Sequence, residues 1–223
     1  MRILVIAAHP DDEVYGMGGT IAKFSKLGHE IYTLIITEGC SSQYKEKKEI
    51  INIKKEEALR ANQFLGVKKV LFGDLPDMML DTIPHVIINK VIEDAIEEIR
   101  PEIVFTHHYG DVNKDHQLVY QSTMVAVRST SIQCVKKVIS YQVPSSTEWS
   151  EQILINQFAP NIYVQIAEYI EQKENAIKIY NTELREYPHP RSLQYIEIWD
   201  TSIGLKVGIK RAEAFHLVKS IEL

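Results

Sequence analysis

Short apolar runs alternate with longer amphipathic segments along the first two thirds of the chain. The runs lack a clean two-residue alternation of polar and apolar positions, which is typical of strands that are buried on both faces. Strands and helices that alternate in this way predict an α/β fold, with a mostly parallel central sheet covered by helices on both sides. The predicted strands are residues 2–8, 30–37, 70–72, 103–106 and 138–141. The predicted helices between them are residues 20–27, 45–65, 87–99 and 116–128.

The pattern weakens in the last third of the chain, but nothing in the sequence divides it into two units. Residues 166–180 and 192–200 are predicted helices, and residues 212–219 fit either a helix or a strand. There is no internal repeat, low-complexity segment or clear linker, and 223 residues suit one hydrophobic core. We therefore expect a single domain, with residues 1–143 as the parallel core and residues 144–223 as an extension that completes the site.

Composition and charge exclude several classes of protein. The chain has 25 basic and 30 acidic residues and a net charge of −5, so its overall field does not favour nucleic acid or an anionic membrane. Cys40 and Cys134 are far apart and form no CxxC pair, which indicates a reducing compartment rather than a disulfide framework. No segment reaches the roughly 18 apolar residues of a membrane span, and the apolar run at the N-terminus is shorter than that of a signal peptide. We expect a cytoplasmic protein without integral membrane contact.

Three glycines, Gly16, Gly18 and Gly19, follow the first predicted strand, as glycines do in many nucleotide-binding loops. Their spacing is GMGG rather than the GxGxxG of dinucleotide-binding folds. The acidic residues directly before them would also repel a pyrophosphate. Both observations argue against nucleotide binding, although a non-catalytic Rossmann-type binding module stays open as an alternative function.

Two polar clusters carry the strongest chemical signal, and each directly follows a predicted strand. The first is HPDDE at residues 9–13, and the second is HHYGDVNKDH at residues 107–116. Ligands of open α/β sheets gather at the carboxyl ends of the strands, so the fold should bring both clusters together. One cluster alone would fit a turn with a helix cap, whereas two clusters with complementary side chains predict a ligand site.

Imidazole and carboxylate side chains suit a catalytic zinc ion, which takes three protein ligands and leaves one position for water. His9 and Asp12 are close enough in sequence to bind one ion from a single loop. The third ligand must come from elsewhere, and His116 begins a predicted helix in the second cluster. Asp11 would then lie beside the metal without binding it, as a base that accepts a proton from water.

These motifs resemble the LmbE/PIG-L family of zinc-dependent N-deacetylases over nearly the whole chain. AHPDDE with the following Gly18-Gly19-Thr20, and THHYGDVNKDH, are similar to the paired metal motifs of that family. KKEEALRANQFLGV at residues 54–67 and LPD at residues 75–77 resemble its second helix and the turn that follows. PHPRS at residues 188–192 and AEAF at residues 212–215 resemble C-terminal elements of one branch and are weaker matches.

The resemblance implies a Rossmann-like, three-layer fold and one zinc ion held by His9, Asp12 and His116. It implies that Asp11 is the general base. It also implies hydrolysis of the acetamide of an N-acetylglucosamine-type sugar, which releases acetate and the free amine.

Two positions depart from the family pattern, and both are expected to contact substrate. Asn113 stands where some members carry a His that assists the tetrahedral intermediate. Lys54 stands where many members carry an Arg that binds substrate. Lysine lacks the planar fork with which arginine forms two parallel hydrogen bonds to an anion.

Further candidate residues lie in or near the resembling motifs. Asp115 would orient a neighbouring imidazole or simply cap a helix. His107 and His108 would line the pocket, with His108 in contact with substrate, although at least one of them fits a core or surface histidine. His189 titrates near neutral pH in a loop stiffened by prolines, so we predict that it points into the zinc pocket, stabilises the intermediate and protonates the leaving amine. Arg191 would bind substrate oxygens, and the alternative for this loop is a plain surface turn.

Three function classes stay open on the sequence. The first is a zinc-dependent N-deacetylase that acts on a small-molecule amino-sugar conjugate. The second is a metal-dependent hydrolase of another bond, such as a phosphoester, although two-metal phosphatases usually need more ligands than these clusters provide. The third is the binding module named above. The sequence leaves open whether the chain forms a homo-oligomer.

Overall fold

The computed structural model describes residues 1–40, 48–128 and 135–222, and it has the α/β architecture that the sequence predicts. Within these residues the strands are β1 (Arg2–Ala7), β2 (Glu30–Thr37), β3 (Lys69–Leu75), β4 (Ile103–His107), β5 (Lys137–Tyr141), β6 (Ile162–Gln165) and β7 (Ala212–Ser220). The helices are α1 (Asp12–Lys26), α2 (Lys48–Phe64), α3 (His85–Ile99), α4 (Lys114–Ala126), α5 (Ile170–Ile179) and α6 (Leu193–Lys206). None of the helices in this described part of the chain combines the length and apolar character needed to cross a membrane.

The strand order explains why the two polar clusters meet. The sheet runs β3-β2-β1-β4-β5-β7-β6, and the first five of these strands are parallel. The chain moves outward from β1 to β3 and then returns to place β4 on the other side of β1. This reversal makes a crevice at the carboxyl ends of β1 and β4, which is where open α/β sheets bind ligands. The loops that follow these two strands therefore face each other.

Alternate residues of β1 pack into two separate hydrophobic cores, one on each face of the sheet. Ile3, Val5 and Ala7 contact the layer that contains α1, α2 and α5, whereas Leu4 and Ile6 contact the layer that contains α3 and α4. A strand that is buried on both faces has no polar side, which is why its sequence reads as a continuous apolar run. The three-layer expectation is confirmed.

Helix α1 starts earlier than its predicted range of residues 20–27. It begins at Asp12 and includes the glycines, with a kink at Met17, where φ is −151°. A Cβ atom on Gly16 would lie 2.5 Å from the Tyr141 ring, and one on Gly19 would lie 2.9 Å from Ile166. The glycines therefore allow α1 to pack closely against β5 and the segment before α5. Glycine has poor helix propensity, so the sequence pattern alone indicated a loop here.

The C-terminal third adds two strands to the same sheet. The segment whose pattern was ambiguous is the strand β7, which pairs antiparallel with both β5 and β6. The two predicted helices correspond to α5 and α6, although α5 is shorter than expected and α6 is longer. Strand β6 was not predicted. The predicted helix 45–65 is α2, and its first expected residues lie outside the described part of the chain.

A buried ionic cluster ties the C-terminal elements to α1. Lys173 Nζ lies 2.9 Å from Asp200 Oδ2 and 2.9 Å from Glu213 Oε1. The carboxylate of Glu213 also accepts hydrogen bonds from the backbone amides of Gly19 and Thr20, at 3.0 and 2.7 Å. These amides lie just after the kink in α1 and are satisfied by a side chain from β7. The helix that carries Asp12 is thereby fixed to the last strand of the sheet.

Candidate metal centre and active site

Three side chains from the two polar clusters converge at the crevice. His9 follows β1, Asp12 begins α1, and His116 lies in the first turn of α4. His9 Nδ1 lies 3.2 Å from Asp12 Oδ2 and 3.2 Å from His116 Nε2, and Asp12 Oδ2 lies 3.3 Å from His116 Nε2. Ligand atoms about 2.0–2.1 Å from a tetrahedral ion stand about 3.3–3.4 Å apart. The triangle has the dimensions of three ligands around one such ion.

The electrostatics of this triangle favour a positive charge at its centre. Burial opposes protonation of His116, but the carboxylates of Asp12 and Asp111 raise the pKa of this imidazole to about 9. Burial likewise opposes protonation of His9, yet Asp12 and Asp115 hold its pKa well above the usual value. Burial raises the pKa of Asp12, but three imidazoles, His116 foremost, bring it well below its usual range. Without a metal, protons supply the positive charge, and a bound cation would replace them.

Each candidate imidazole ligand has a carboxylate on its other nitrogen. Asp111 Oδ2 lies 3.1 Å from His116 Nδ1, and this carboxylate also accepts hydrogen bonds from the hydroxyls of Ser146 and Thr147. Asp115 Oδ2 lies 3.2 Å from His9 Nε2. A carboxylate in this position fixes the orientation of a metal-binding imidazole and raises its basicity.

Asp115 therefore contacts an imidazole, which is one of the two alternative roles that the sequence suggested for it. Its carboxylate also accepts hydrogen bonds from the backbone amides of Met78 and Leu80, at 2.7 and 3.1 Å. The cap of α4 is Asn113, whose Oδ1 accepts a hydrogen bond from the Asp115 amide at 2.9 Å. The Asn113 side chain is thus engaged at the helix end, while its Nδ2 faces Met78 Sδ at 3.5 Å.

The two histidines after β4 differ in their surroundings. His107 is fully buried and stacks on His116, with 3.9 Å between ring centroids, and its Nε2 accepts a hydrogen bond from the Ala8 amide. Burial and the neighbouring His116 bring the pKa of His107 well below its usual value, so this ring is neutral. His108 Nε2 lies 2.8 Å from the carbonyl oxygen of Asn156. Neither ring is among the described residues that line the cavity next to the triangle.

Asp11 has a strained backbone and a buried carboxyl group. Its φ is 116°, in a region that residues with a side chain rarely adopt, and strain of this kind clusters at functional sites. Burial raises the pKa of Asp11 well above its usual value, although the Arg191 guanidinium, 3.4 Å away, acts in the opposite direction. Among the described residues, Asp11 Oδ2 has no hydrogen-bond partner. This oxygen is therefore free to accept a proton.

A polar cavity of about 70 Å³ opens beside the triangle. Its lining carries acidic, basic and amide side chains that come from all parts of the chain. The lining residues are His9, Pro10, Asp11, Gly39, Lys54, Asp77, Met78, Asn113, Glu183 and Arg191. Of the residues that the sequence predicted to bind substrate, Lys54, Asn113 and Arg191 line this cavity and His108 does not.

His189 is not among the described residues that line the cavity, although Arg191, two residues later, is. Its Nδ1 accepts a hydrogen bond from the Arg191 amide at 3.0 Å. Its ring is partly exposed, and among the described residues the cavity lining does not include it. Burial and the neighbouring Arg191 and Arg185 lower the pKa of His189. The loop places Arg191 at the cavity, whereas its imidazole supports the arginine backbone.

Sequence reasoning missed three carboxylates of the site. Asp111 contacts His116, Asp77 Oδ1 lies 3.3 Å from His9 Nε2, and Glu183 pairs with both cations of the lining. His9, Asp77 and Asp115 form a second group that has the composition of a metal site and shares His9 with the first. Asp111 and Asp77 stand within segments that had already been singled out. No motif surrounds Glu183, so no sequence signal pointed to it.

The fold and the site together define a Rossmann-like α/β protein with a candidate His/Asp metal centre at the point where the strand order reverses. The family described as PIG-L, GlcNAc-PI de-N-acetylase, matches residues 4–127, which is more than half of the chain. The chain belongs to this family. Several of its relatives are described as deacetylases, which are hydrolases that act on amides.

Three relatives show the range of the similarity. A protein of Escherichia coli K12 described as the uncharacterized deacetylase YaiS is 29% identical over 79% of this chain and 88% of its own length. A diacetylchitobiose deacetylase of Thermococcus kodakarensis is 25% identical over 100% of this chain and 85% of its own length. A probable N-acetyl-alpha-D-glucosaminyl L-malate deacetylase 2 of Bacillus anthracis is 23% identical over 79% of both chains.

Solved structures share the fold at low sequence identity. An N,N'-diacetylchitobiose deacetylase from Pyrococcus horikoshii has a TM-score of 0.79 and 21% identity, and the match covers 98% of this chain and 84% of that one. A 4-carboxy-2-hydroxymuconate hydratase from Pseudomonas putida KT2440 has a TM-score of 0.76 and 21% identity, with 100% and 98% of the two chains covered. The fold thus also occurs in a protein with a different reaction, so function must be argued from the site.

The contact between Asp111 and His116 generates the first prediction. Asp111→Asn keeps the size of the side chain but removes the negative charge next to His116 Nδ1. We expect the affinity for a divalent metal to fall about 10–100-fold, the usual cost of losing such a partner. Titration calorimetry of the metal-free protein measures this affinity. Asp81→Asn, at an exposed carboxylate, is the control and should leave it unchanged. Equal affinities in all three proteins would contradict the assignment.

Proposed function

We propose that this protein is a zinc-dependent N-deacetylase that hydrolyses the acetamide of an N-acetylglucosamine-type amino sugar and releases acetate and the free amine. The observation that carries the proposal is the triangle of His9, Asp12 and His116 with the carboxyl group of Asp11 beside it. The membership in a family of deacetylases supports the same reaction.

The donor set fits one zinc ion. Two imidazole nitrogens and one carboxylate oxygen are typical ligands of a catalytic site that keeps one position open. When bound, zinc supplies Lewis-acid chemistry, because it polarises a carbonyl group and acidifies water. His9, Asp12 and His116 would hold the ion, and Asp111 and Asp115 would orient the two imidazoles. The cavity beside the triangle leaves room for an acetamide group.

Asp11 is the proposed general base. The proton of the attacking water would pass to Asp11 Oδ2, the oxygen without a hydrogen-bond partner among the described residues. Burial raises the pKa of this carboxyl group, which brings its basicity closer to what proton transfer near neutral pH requires. Arg191 lies 3.4 Å from the same oxygen and favours its ionised form. The two effects oppose each other and keep Asp11 able both to accept and to release a proton.

The amine must be protonated before it leaves, and Asn113 can donate a hydrogen bond but cannot deliver a proton. We propose His189 for this step. Since its Nδ1 accepts the Arg191 amide, the neutral ring carries its proton on Nε2. Among the described residues Nε2 has no hydrogen-bond partner. To donate a proton the ring must first take up a second proton on Nδ1, which ends its bond to the Arg191 amide. The resulting imidazolium, whose pKa is lowered by burial and Arg191, would then give the Nε2 proton to the amine and return to the neutral ring.

Acetate release is the experiment that tests this function. Protein loaded with one zinc ion per chain should release acetate from N-acetylglucosamine or diacetylchitobiose, as measured by a coupled acetate assay. A chelator should abolish the release, and added zinc should restore it. The His116→Ala variant should lose both bound metal and activity. Equal activity of the metal-free protein, or no acetate from any N-acetylated sugar, would contradict the proposal.

The role of Asp11 separates catalysis from metal binding. Asp11→Asn removes the base but none of the three proposed ligands, so the zinc content should stay at that of the unmodified protein. We expect kcat to fall about 10²-fold or more, the typical contribution of general acid–base catalysis. Elemental analysis and steady-state kinetics measure the two quantities. Loss of zinc in this variant would show that Asp11 is itself a ligand.

The role of His189 is tested in the same way. His189→Ala should lower kcat about 10²-fold with little change in KM or zinc content, because a proton donor acts in the chemical step. His85→Ala, at an exposed position that begins α3, is the control. An unchanged kcat in His189→Ala would remove His189 from the mechanism and leave Asp11 as both base and acid.

A further inference from the structure

We propose that the cavity selects uncharged N-acetylated amino sugars over conjugates that carry a carboxylate or a phosphate, and that Glu183 sets this selectivity. The inference rests on the proposed deacetylase function and specifies its substrate class. It follows from the charges that line the cavity and from the way in which its cations are paired.

When His9 holds a metal ion and is neutral, the lining carries three carboxyl groups, those of Asp11, Asp77 and Glu183, against two cationic groups, those of Lys54 and Arg191. Even when Asp11 is protonated, the carboxylates and the cations only balance. The described lining therefore offers no net positive charge to attract an anionic group. An anion that enters must also lose its hydration next to fixed negative charges, which is costly.

Glu183 engages both cations at once. Lys54 Nζ donates to Glu183 Oε1 and to the carbonyl oxygen of Gly39, and Arg191 Nη1 pairs with Glu183 Oε2. Lys54 and Glu183 are each only 4% exposed, so water screens this contact little. A substrate carboxylate or phosphate would have to compete with Glu183 for the same cations. The protein thus supplies its own anion where an anionic substrate would need to bind.

A bound divalent metal ion would not make the net charge around the cavity positive. Asp12 is one of the proposed ligands, and Asp111 and Asp115 lie on the two imidazoles. The three carboxylates next to the ligand triangle exceed the charge of one divalent ion. An anionic group near the cavity therefore still meets an excess of negative charge.

Uncharged sugars are compatible with this lining. The hydroxyl groups of a sugar are hydrogen-bond donors, and carboxylates are acceptors that can take several such bonds. Asp77 lines the cavity and already contacts His9 Nε2 at 3.3 Å through Oδ1, and a carboxylate can accept further hydrogen bonds from a sugar hydroxyl group. The names of two relatives of this chain include diacetylchitobiose, which is uncharged, and a malate conjugate, which carries carboxylates. The proposed selectivity favours the first kind of substrate and disfavours the second.

The test compares substrates that differ in charge. We expect the zinc-loaded protein to show a kcat/KM for N-acetylglucosamine and diacetylchitobiose about 10-fold or more above that for N-acetylglucosamine 1-phosphate and the malate conjugate. Glu183→Gln should shift this ratio about 10-fold towards the anionic substrates, because both cations lose their internal partner. The double variant Lys54→Gln/Glu183→Gln removes one charge of each sign and should return the ratio towards that of the unmodified protein. A preference of the unmodified protein for the anionic substrates would overturn the proposal.

A binding measurement makes the result independent of acetate release. Glucosamine and glucosamine 1-phosphate differ only in the phosphate, and calorimetry with the zinc-loaded protein compares their affinities. Tighter binding of glucosamine, with the gap reduced in Glu183→Gln, would support the selectivity even if no acetamide were hydrolysed, which would contradict the proposed function alone. A folded Glu183→Gln with an unchanged gap would overturn the role of Glu183. If this variant does not fold, Asp77→Asn removes another carboxylate of the lining, and an unchanged gap there would overturn the charge argument.

Discussion

One buried carboxylate oxygen is the point on which the site depends. Asp12 Oδ2 has three imidazoles around it, at 3.2 Å from His9, 3.4 Å from His107 and 3.3 Å from His116. A carboxylate that is 1% exposed is stable only if positive charge or hydrogen-bond donors replace the water it has lost. His9 and His116, with the cation they would bind, provide that replacement, whereas the neutral His107 packs beside the carboxylate. The strand order, the start of α1 and the position of α4 bring these side chains together.

A second buried network holds the base next to this centre. Glu13 is fully buried and accepts hydrogen bonds from Asn62, from Tyr180 and from the backbone amide of Asp11. Burial raises the pKa of Glu13 to about 7, because the ionised form of a carboxyl group is disfavoured away from water. The bond to the Asp11 amide fixes the strained backbone that aims the Asp11 side chain into the cavity. Residues from α2 and from the end of α5 thus support the position of the proposed base.

The C-terminal part of the chain completes the cavity wall. It supplies Glu183 and Arg191, and the cluster of Lys173, Asp200 and Glu213 anchors it to α1. The cavity wall therefore combines residues of the loops that carry the candidate metal ligands with Glu183 and Arg191 from the C-terminal part. The loops after β1 and β4 supply the candidate metal ligands and Asp11, whereas the C-terminal part adds one carboxylate and one guanidinium group to the cavity lining. A shared family and a shared fold accordingly allow relatives with different substrates.

The sequence alone determined the α/β class, the parallel core and the candidate ligands, because these depend on local patterns. Continuous apolar runs mark strands that are buried on both faces, and His9 and Asp12 are three residues apart, so one loop presents both. The start of α1 was predicted too late, because glycines are unfavourable in helices. Their place in this helix is explained by close packing against Tyr141 and Ile166, which are distant in sequence. The pairing of Lys54 with Glu183 joins residues 129 positions apart. Only the packing of the segment after α5 against α2 brings them together, and for that reason the tertiary structure alone decided the charge of the cavity.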